Sequence, residues 1–273
     1  MLVAAACIAA APASAAPQRI MSLNLCADQL VLALAPPGTI VSVTYLARDC
    51  QVSVACAAAA RTPINYGTAE EMIASTPDLL IAGRYTTRTT VAVARKFGFA
   101  VRDLDVPNTI EAVQAQIREI AEAVGAPERG EAMVAAIDRD LAALSPVPAG
   151  PRPLAAVYQT SGFTVGKGSM IDDLLTRAGF DNLATRLDID NYPSLPLEEL
   201  VIGQPDLLIM EGLHEARPSL GGSLLEHPVL AAGFPADRQA VVPQRLWNCG
   251  GPSIVDALRI LTDARDRIEA KTQ

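Results

Sequence analysis

The chain has 273 residues, half of them hydrophobic, so it is long and apolar enough for about two domains with full cores. Its formal net charge is -8, and its Lys and Arg residues are scattered along the chain instead of forming a basic stripe. This composition is that of a globular protein, and the charge pattern excludes nucleic acid as a partner.

The first residues form an apolar run that ends in small residues, with Ala13, Ser14 and Ala15 in the pattern of a cleavage site. We therefore expect residues 1–15 to be a signal peptide and the mature protein to be exported. The alternative is a buried Ala-rich helix. No Lys or Arg precedes the run, so the true start codon could lie upstream.

The cysteines suit an oxidising compartment. Cys7 lacks the Leu-like residue three positions earlier that a lipobox requires, so lipid anchoring is not expected. The other four, which allow three pairing schemes, are Cys26, Cys50, Cys56 and Cys249. We favour Cys50 with Cys56 because that pair would close a short loop, whereas Cys26 and Cys249 could be free or joined.

Short β-rich apolar runs alternate with helical patterns along the chain. The clearest predicted strands are residues 40–45, 78–82, 154–158 and 206–210. Strands that alternate with helices indicate an α/β fold with mainly parallel sheets.

Two helical patterns interrupt this alternation in the middle of the chain. In the first, apolar residues recur every three or four positions at Ile110, Val113, Ile117, Ile120 and Val124. This spacing predicts an amphipathic helix with Asn108 as its N-cap and Gly125 as its stop. A second helix is predicted to begin at Pro127 and to end at a Pro-rich segment, and its apolar face carries Met133, Ile137, Leu141 and Leu144.

The most informative feature is an internal repeat. Residues 70–81 read EEMIASTPDLLI and residues 198–209 read EELVIGQPDLLI, so seven of twelve positions are identical at an offset of 128 residues. Each copy predicts a short helix that opens on two glutamates, a Pro-Asp turn and a buried strand. Similar helix-strand joints could arise independently in an α/β fold, but two related lobes explain the repeat better.

We therefore predict two Rossmann-like α/β lobes, residues 16–125 and residues 150–273. A long rigid helix within residues 126–149 would join them. Ligands bind beyond the carboxyl ends of parallel strands, so the cleft between the lobes is the expected ligand site.

Several segments occur in a characteristic order along the chain: residues 19–30 (RIMSLNLCADQL), residues 45–49 (YLARD), the two repeat units, residues 168–175 (GSMIDDLL) and residues 247–252 (WNCGGP). In this order they resemble periplasmic receptors of the helical-backbone type, which serve ABC importers for ferric siderophores, haem and cobalamin. The resemblance covers nearly the whole chain after the predicted signal peptide. It implies a periplasmic, monomeric receptor that captures a metal chelate and delivers it to an ABC import permease.

In that family one glutamate at the top of each lobe docks onto arginines of the permease, and the matching positions are Glu70 and Glu198. Both open equivalent predicted helices, where the helix dipole favours a carboxylate, and a symmetric pair suits a two-fold permease. The alternative role of each glutamate is helix stabilisation alone. The resemblance also implies a stiff connector and a small closure of the lobes on binding.

Loops that follow the strands are expected to line the cleft. In the first lobe they supply Tyr45, Arg48, Tyr66, Arg84, Tyr85 and Arg88. In the second lobe they supply Phe163, Tyr192, Glu211, His214, Arg217 and Trp247. An aromatic wall suits a bulky chelate or a corrin ring, and the arginines could pair with carboxylate or catecholate oxygens. We expect the ring of Trp247, the only tryptophan, to lie at the mouth of the cleft.

We expect no resident cofactor, because two histidines are too few for a receptor that binds bare zinc or manganese. The metal would arrive inside its chelator, although a soft-metal site formed by Cys26 and Cys249 is an alternative. A hydrolase is the rival function. The chain lacks the nucleophile-elbow, phosphate-loop, dinucleotide and zinc-protease motifs, and a site built on Glu211 and His214 would lack a nucleophile.

Overall fold

The structure is a computed structural model that describes residues 16–144, 146–190, 193–211, 222 and 224–272. The predicted signal peptide, residues 1–15, lies outside the described residues. In the part of the chain that is described, no helix is both long enough and apolar enough to cross a bilayer.

The first lobe is a five-stranded sheet with helices on its faces. Its strands are β1 (Ile20–Ser22), β2 (Ile40–Thr44), β3 (Ile64–Asn65), β4 (Leu79–Gly83) and β5 (Val101–Leu104). Its helices are α1 (Leu25–Leu34), α2 (Cys56–Ala59), α3 (Ala69–Ser75) and α4 (Arg88–Lys96). The strand order is β3-β2-β1-β4-β5, and each neighbouring pair is parallel. After β1 the chain adds β2 and β3 on one side and then β4 and β5 on the other, so the strand order reverses between β1 and β4. Ligand crevices form at such a reversal.

The second lobe repeats this plan with four strands, β6 (Leu154–Val157), β7 (Asp181–Asn182), β8 (Leu207–Met210) and β9 (Gln239–Val241). Their order is β7-β6-β8-β9, again with parallel neighbours, so the reversal falls between β6 and β8. The helices after the connector are α7 (Met170–Ala178), α8 (Leu183–Arg186), α9 (Leu197–Gly203), α10 (Pro228–Gly233) and α11 (Ile254–Thr272). The predicted fold class, two α/β lobes with parallel sheets, is confirmed.

Two helices connect the lobes, α5 (Ile110–Ala123) and α6 (Pro127–Ala142). Proline at the first position of α6 fits the predicted start, and the 16 residues of this helix span roughly 24 Å. Asn108 is not the N-cap of α5. The buried Ile110 is the first residue of the helix, so the residue before it, Thr109, is the N-cap. The Thr109 side chain accepts a hydrogen bond from Ala112 N at 3.1 Å.

These helices are tied into both lobes. One apolar cluster includes Ile20 of β1, Ile117 of α5, Ile137 of α6 and Leu174 of α7. The backbone N–H of Ile110 also donates to an Asp173 carboxylate oxygen of α7 at 3.1 Å. The connector is therefore a packed part of the core, which favours a stiff hinge, while the predicted domain limits stay a prediction.

The internal repeat folds in the same way twice. In the first lobe it forms α3 and β4, and in the second lobe α9 and β8. Each short helix ends at a residue in the left-handed conformation that is not glycine. These residues are Thr76, at φ 42°, and Gln204, at φ 43°. The aspartate that follows accepts backbone hydrogen bonds at the start of the neighbouring parallel strand. Asp78 binds Arg19 N at 2.9 Å, and Asp206 binds Leu154 N at 2.7 Å. The shared Pro-Asp-Leu-Leu-Ile sequence thus joins strand to strand in both sheets.

Candidate functional site

The carboxyl ends of strands from both lobes meet at one cavity. Its walls are Asn24 after β1, residues 83–86 at the end of β4, residues 104–107 at the end of β5 and residues 247–250 after β9, with Cys26 and Met170. Its volume is about 150 Å³. Pockets that enclose a drug-sized ligand measure roughly 300–1,000 Å³, so this cavity has room for one side group of a large ligand.

Four predicted cleft residues are exposed aromatic side chains that follow strands: Tyr45, Tyr66 and Tyr85 in the first lobe and Phe163 in the second. Tyr45 follows β2 and Tyr66 follows β3, and because these strands are parallel neighbours, the two rings meet. Their centroids lie 5.2 Å apart with planes 25° from parallel. Tyr85 follows β4 and is 72% exposed. Clustered exposed apolar surface is typical of a binding site.

The three predicted arginines differ in their surroundings. Arg48 donates to the carbonyl oxygens of Ala59 and Thr62, at 3.2 and 2.7 Å, so its guanidinium holds the loop around α2. Arg84 lines the cavity, where its Nε lies 2.5 Å from Asp105 Oδ1. Arg88 lines a separate groove beside α4. Of these cations, only Arg84 borders the cavity, and it is already paired.

Trp247 lines the cavity, but its position differs from the expectation. The side chain is 3% exposed, so it lies in the wall of the cleft and not at its mouth, because it packs into the apolar core. Its indole N–H makes no hydrogen bond of ordinary geometry. The neighbouring carboxyl belongs to Glu211. Burial raises the pKa of Glu211, and the Trp247 indole partly offsets this by lowering it.

Two polar residues at strand ends were not predicted as site residues. Asn24 caps α1 by accepting from Cys26 N at 2.9 Å, and its amide also lies 3.4 Å from Thr86 Oγ1 across the reversal point of the first sheet. Gln159, just after β6, donates from Nε2 to Glu211 Oε1 at 2.6 Å. Their signal in the sequence was a polar residue two positions after the end of an apolar strand. The predicted residues Tyr192, His214 and Arg217 lie outside the described residues.

Both cysteine pairs form disulfides. Cys50 is bonded to Cys56, the favoured pair, and Cys26 is bonded to Cys249. The second bond joins the first turn of α1 to the segment before α11, and both cysteines line the cavity. The soft-metal alternative is therefore wrong, because this bond leaves neither sulfur as a thiolate. Within the described ranges, no three His, Cys, Asp or Glu side chains are grouped as a metal site.

A buried carboxylate supports the strand end that presents Tyr45. Asp28 of α1 is fully buried and accepts from Thr44 N at 3.0 Å and from the Thr44 hydroxyl. Burial raises its pKa from 3.8 to about 6, and hydrogen bonds from Ser22 and Thr44 limit the rise. The folded protein is therefore less stable when the Asp28 carboxyl is ionised than when it is protonated.

The variant Asp28→Asn should remove a pH dependence of stability. The folded-state pKa exceeds the unfolded value, so the wild type loses stability as pH rises from 4 through about 6. The loss should total about 3 kcal/mol, from 1.36 kcal/mol per pKa unit. Asparagine keeps an acceptor for Thr44 N and adds a donor for its hydroxyl. Urea unfolding of both proteins between pH 4 and 7.5 measures the difference; curves that stay parallel would contradict this role of Asp28.

The glutamates of the repeat have different local roles. Glu71 closes a capping box, accepting from Thr68 N and Tyr66 N at 3.1 and 3.0 Å, which lowers its pKa despite some desolvation. Glu70 and Glu198 are exposed at the second position of α3 and α9. Burial raises the pKa of Tyr158, and the negative charge of Glu198 adds to the rise. The two candidate docking carboxylates thus occupy equivalent sites on the two lobes.

Several known proteins are similar to this chain. A curated cobalamin-binding protein of Halobacterium salinarum is 26% identical over 71% of the chain, and the chain spans about half, 53%, of that relative's length. A periplasmic haem-binding protein, RhuT from Roseiflexus sp. RS-1, is 25% identical to this chain. The match covers 92% of this chain and 99% of the RhuT chain, with a TM-score of 0.75. The periplasmic vitamin B12 binding protein BtuF of Vibrio cholerae, 17% identical over 93% of this chain and 98% of its own, shares the fold with a TM-score of 0.67.

The family model described as periplasmic binding protein matches residues 20–240, which include both sheets up to β9 and the connector. The family and these structural relatives are binding proteins. With two parallel-sheet lobes, a packed helical connector and strand ends that meet at an inter-lobe cavity, the chain belongs to the periplasmic binding protein family.

Proposed function

We propose that this protein captures a bulky metal chelate in the periplasm and delivers it to an ABC import permease. The observation that carries the proposal is the group of exposed aromatic side chains Tyr45, Tyr66, Tyr85 and Phe163 at the carboxyl ends of strands. Exposed rings at the strand ends of both lobes offer apolar contact surface, which suits a large planar or globular chelate. We propose binding without catalysis.

The relatives support the same ligand class, since their names record cobalamin and haem binding. We propose that the chain has no resident cofactor and that the metal enters as part of the ligand, a ferric siderophore, cobalamin or haem. The cavity would take one side group while the tyrosines contact the body of the chelate. Glu70 and Glu198, one on each lobe, are the proposed contacts with the permease.

Trp247 provides the test of ligand binding. It is the only tryptophan and lines the cavity, so its fluorescence reports directly on occupancy. We expect titration with cobalamin, haem, ferric citrate and ferric siderophores to give saturable quenching by one of these classes. The double variant Tyr45→Ala with Tyr66→Ala should weaken that binding at least about tenfold, because two stacked rings lose their contact with the ligand.

The matched control is Phe97→Ala. Phe97 is also an exposed ring, 66% accessible, but it follows α4 and not a strand end. Its removal should leave the affinity unchanged. Failure of every chelate to bind, or an equal loss in the control, would overturn the proposed site.

A further inference from the structure

We propose that residues 247–250, here called the strap, fasten the second lobe to the first across the cleft and hold the two walls of the ligand site at a fixed separation. The strap follows β9 of the second lobe, and all four of its residues line the inter-lobe cavity. Its positioning residues are Asn248, Cys249 and Gly250, with Cys26 in the first lobe. The effect on lobe spacing is independent of the proposed function, whereas the effect on affinity rests on it.

A covalent bond joins the strap to the first lobe. Cys249 is bonded to Cys26 in the first turn of α1, and both residues lie in the cavity wall. The two Cα atoms are 5.1 Å apart. Disulfides seldom join Cα atoms more than about 6.8 Å apart, so the lobes can separate at this point by no more than about 2 Å.

Two further contacts hold the strap on either side of this bond. Asn248 donates from Nδ2 to the carbonyl oxygen of Val52 at 3.2 Å, in the loop that the second disulfide closes. Gly250 is buried against the segment after β5 and against α5. A Cβ added at Gly250 would lie 2.6 Å from Pro107 Cγ and 2.9 Å from Val113 Cγ2, so only glycine allows this approach. The strap therefore follows the surface of the first lobe and the connector closely.

The connector holds α1 at its other end. Arg129 of α6 donates to the carbonyl oxygens of Ala33 and Ala35, at 2.6 and 2.9 Å, where α1 ends. The ten residues of α1 span roughly 15 Å. A helix that is attached at both ends can turn only about the line between its attachments. A connector alone would leave the cleft end of α1 free, and the strap removes this freedom.

A fixed spacing matters because the walls of the cavity belong to different lobes. Asn24 and Tyr85 come from the first lobe, and Trp247 comes from the second. Walls that are already in position lose less conformational freedom when the ligand binds, which favours affinity. If an untethered protein held the competent spacing only about a tenth of the time, its apparent Kd would rise about tenfold.

The experiment measures the distance between the lobes by double electron–electron resonance. Spin labels are attached through p-acetylphenylalanine placed at Lys96 of α4 and at Glu199 of α9, which leaves the cysteines untouched. Both positions are exposed and helical, one on each lobe. The purified protein is measured alone, with cobalamin and with haem.

The untethered variant is Cys26→Ser with Cys249→Ser. The matched control is Cys50→Ser with Cys56→Ser, which also loses one disulfide, but within the first lobe, and keeps the covalent bond of the strap. All proteins are compared in trimethylamine N-oxide, which favours the folded state, and circular dichroism verifies that each is folded. Calorimetry gives the affinities for cobalamin and for haem.

We expect one inter-lobe distance in the wild type and in the control, with a change of no more than about 1 Å on binding, as in preorganised complexes. The untethered variant should show a second population or a mean distance changed by more than about 2 Å, the scale of hinge rearrangements. Its affinity for the chelate that the wild type binds should fall about tenfold, while the control keeps the wild-type affinity.

A folded untethered variant with the wild-type distance distribution would overturn the strap, because the connector alone would then set the cleft. A ligand-induced change of more than about 2 Å in the wild type would do the same. A changed distance with unchanged affinity would overturn the positioning of the ligand site. These results leave the proposed chelate binding intact. If the wild type binds none of the chelates, the proposed function fails, and the distances still decide the role of the strap.

Discussion

Removal of the Cys26–Cys249 disulfide is expected to lower the free energy of unfolding by about 5 kcal/mol. A cross-link reduces the entropy of the unfolded chain, and the effect grows with the length of the closed loop. This bond joins residues 223 positions apart, whereas Cys50 and Cys56 are 6 apart. The same relation gives about 2 kcal/mol for the short loop, so the two bonds should differ clearly.

The measurement is urea unfolding of Cys26→Ser with Cys249→Ser, beside the matched pair Cys50→Ser with Cys56→Ser. Both variants lose one disulfide and gain two hydroxyls, so most of the difference between them reports loop length. Cys249 is 4% exposed, which adds a small packing loss to the first pair. Equal destabilisation by the two variants would show that the long bond does not constrain the unfolded chain.

Charge reversal at Glu70 and Glu198 should abolish uptake while ligand affinity stays unchanged. Both carboxylates are exposed, lie at the second position of equivalent helices and make no ion pair among the described residues. If each meets a permease arginine, Glu70→Arg with Glu198→Arg replaces two attractive contacts by repulsive ones. Loss of buried interfacial charge pairs costs about 2–5 kcal/mol each, so docking should weaken by roughly a thousandfold or more.

The matched control is Glu122→Arg with Glu128→Arg. These exposed glutamates lie in α5 and in the first turn of α6, so the control has the same change in net charge without altering α3 or α9. Vesicle uptake with the cognate permease and ligand titration of the purified protein are both required. Uptake at the wild-type level in the Glu70 and Glu198 variant, or an equal loss in the control, would refute the docking role.

Much of the candidate site follows from local sequence because parallel strands have a fixed relation to their carboxyl ends. Tyr45 and Tyr85 could be predicted to share one edge, since each stands at the end of a predicted strand, whereas β3, the two-residue strand before Tyr66, was not predicted. The stacking of Tyr45 on Tyr66 and the exposure of the rings could not be predicted without the order of the strands in the sheet. Arg48 shows the limit of this reasoning, because its position at a strand end did not reveal that two carbonyls of the α2 loop would bind its guanidinium.

The sequence by itself determined the elements whose physics is local: the apolar spacing of α5, the proline start of α6 and the doubled helix-strand unit with its opening glutamates. Only the tertiary structure decided which distant groups meet. It joined Cys26 to Cys249, set Gln159 against Glu211 across 52 residues of chain, and buried Trp247 in the cavity wall. The reason is physical. Spacing and capping act within a few residues, whereas these contacts depend on strand order and on how the two lobes pack against the connector.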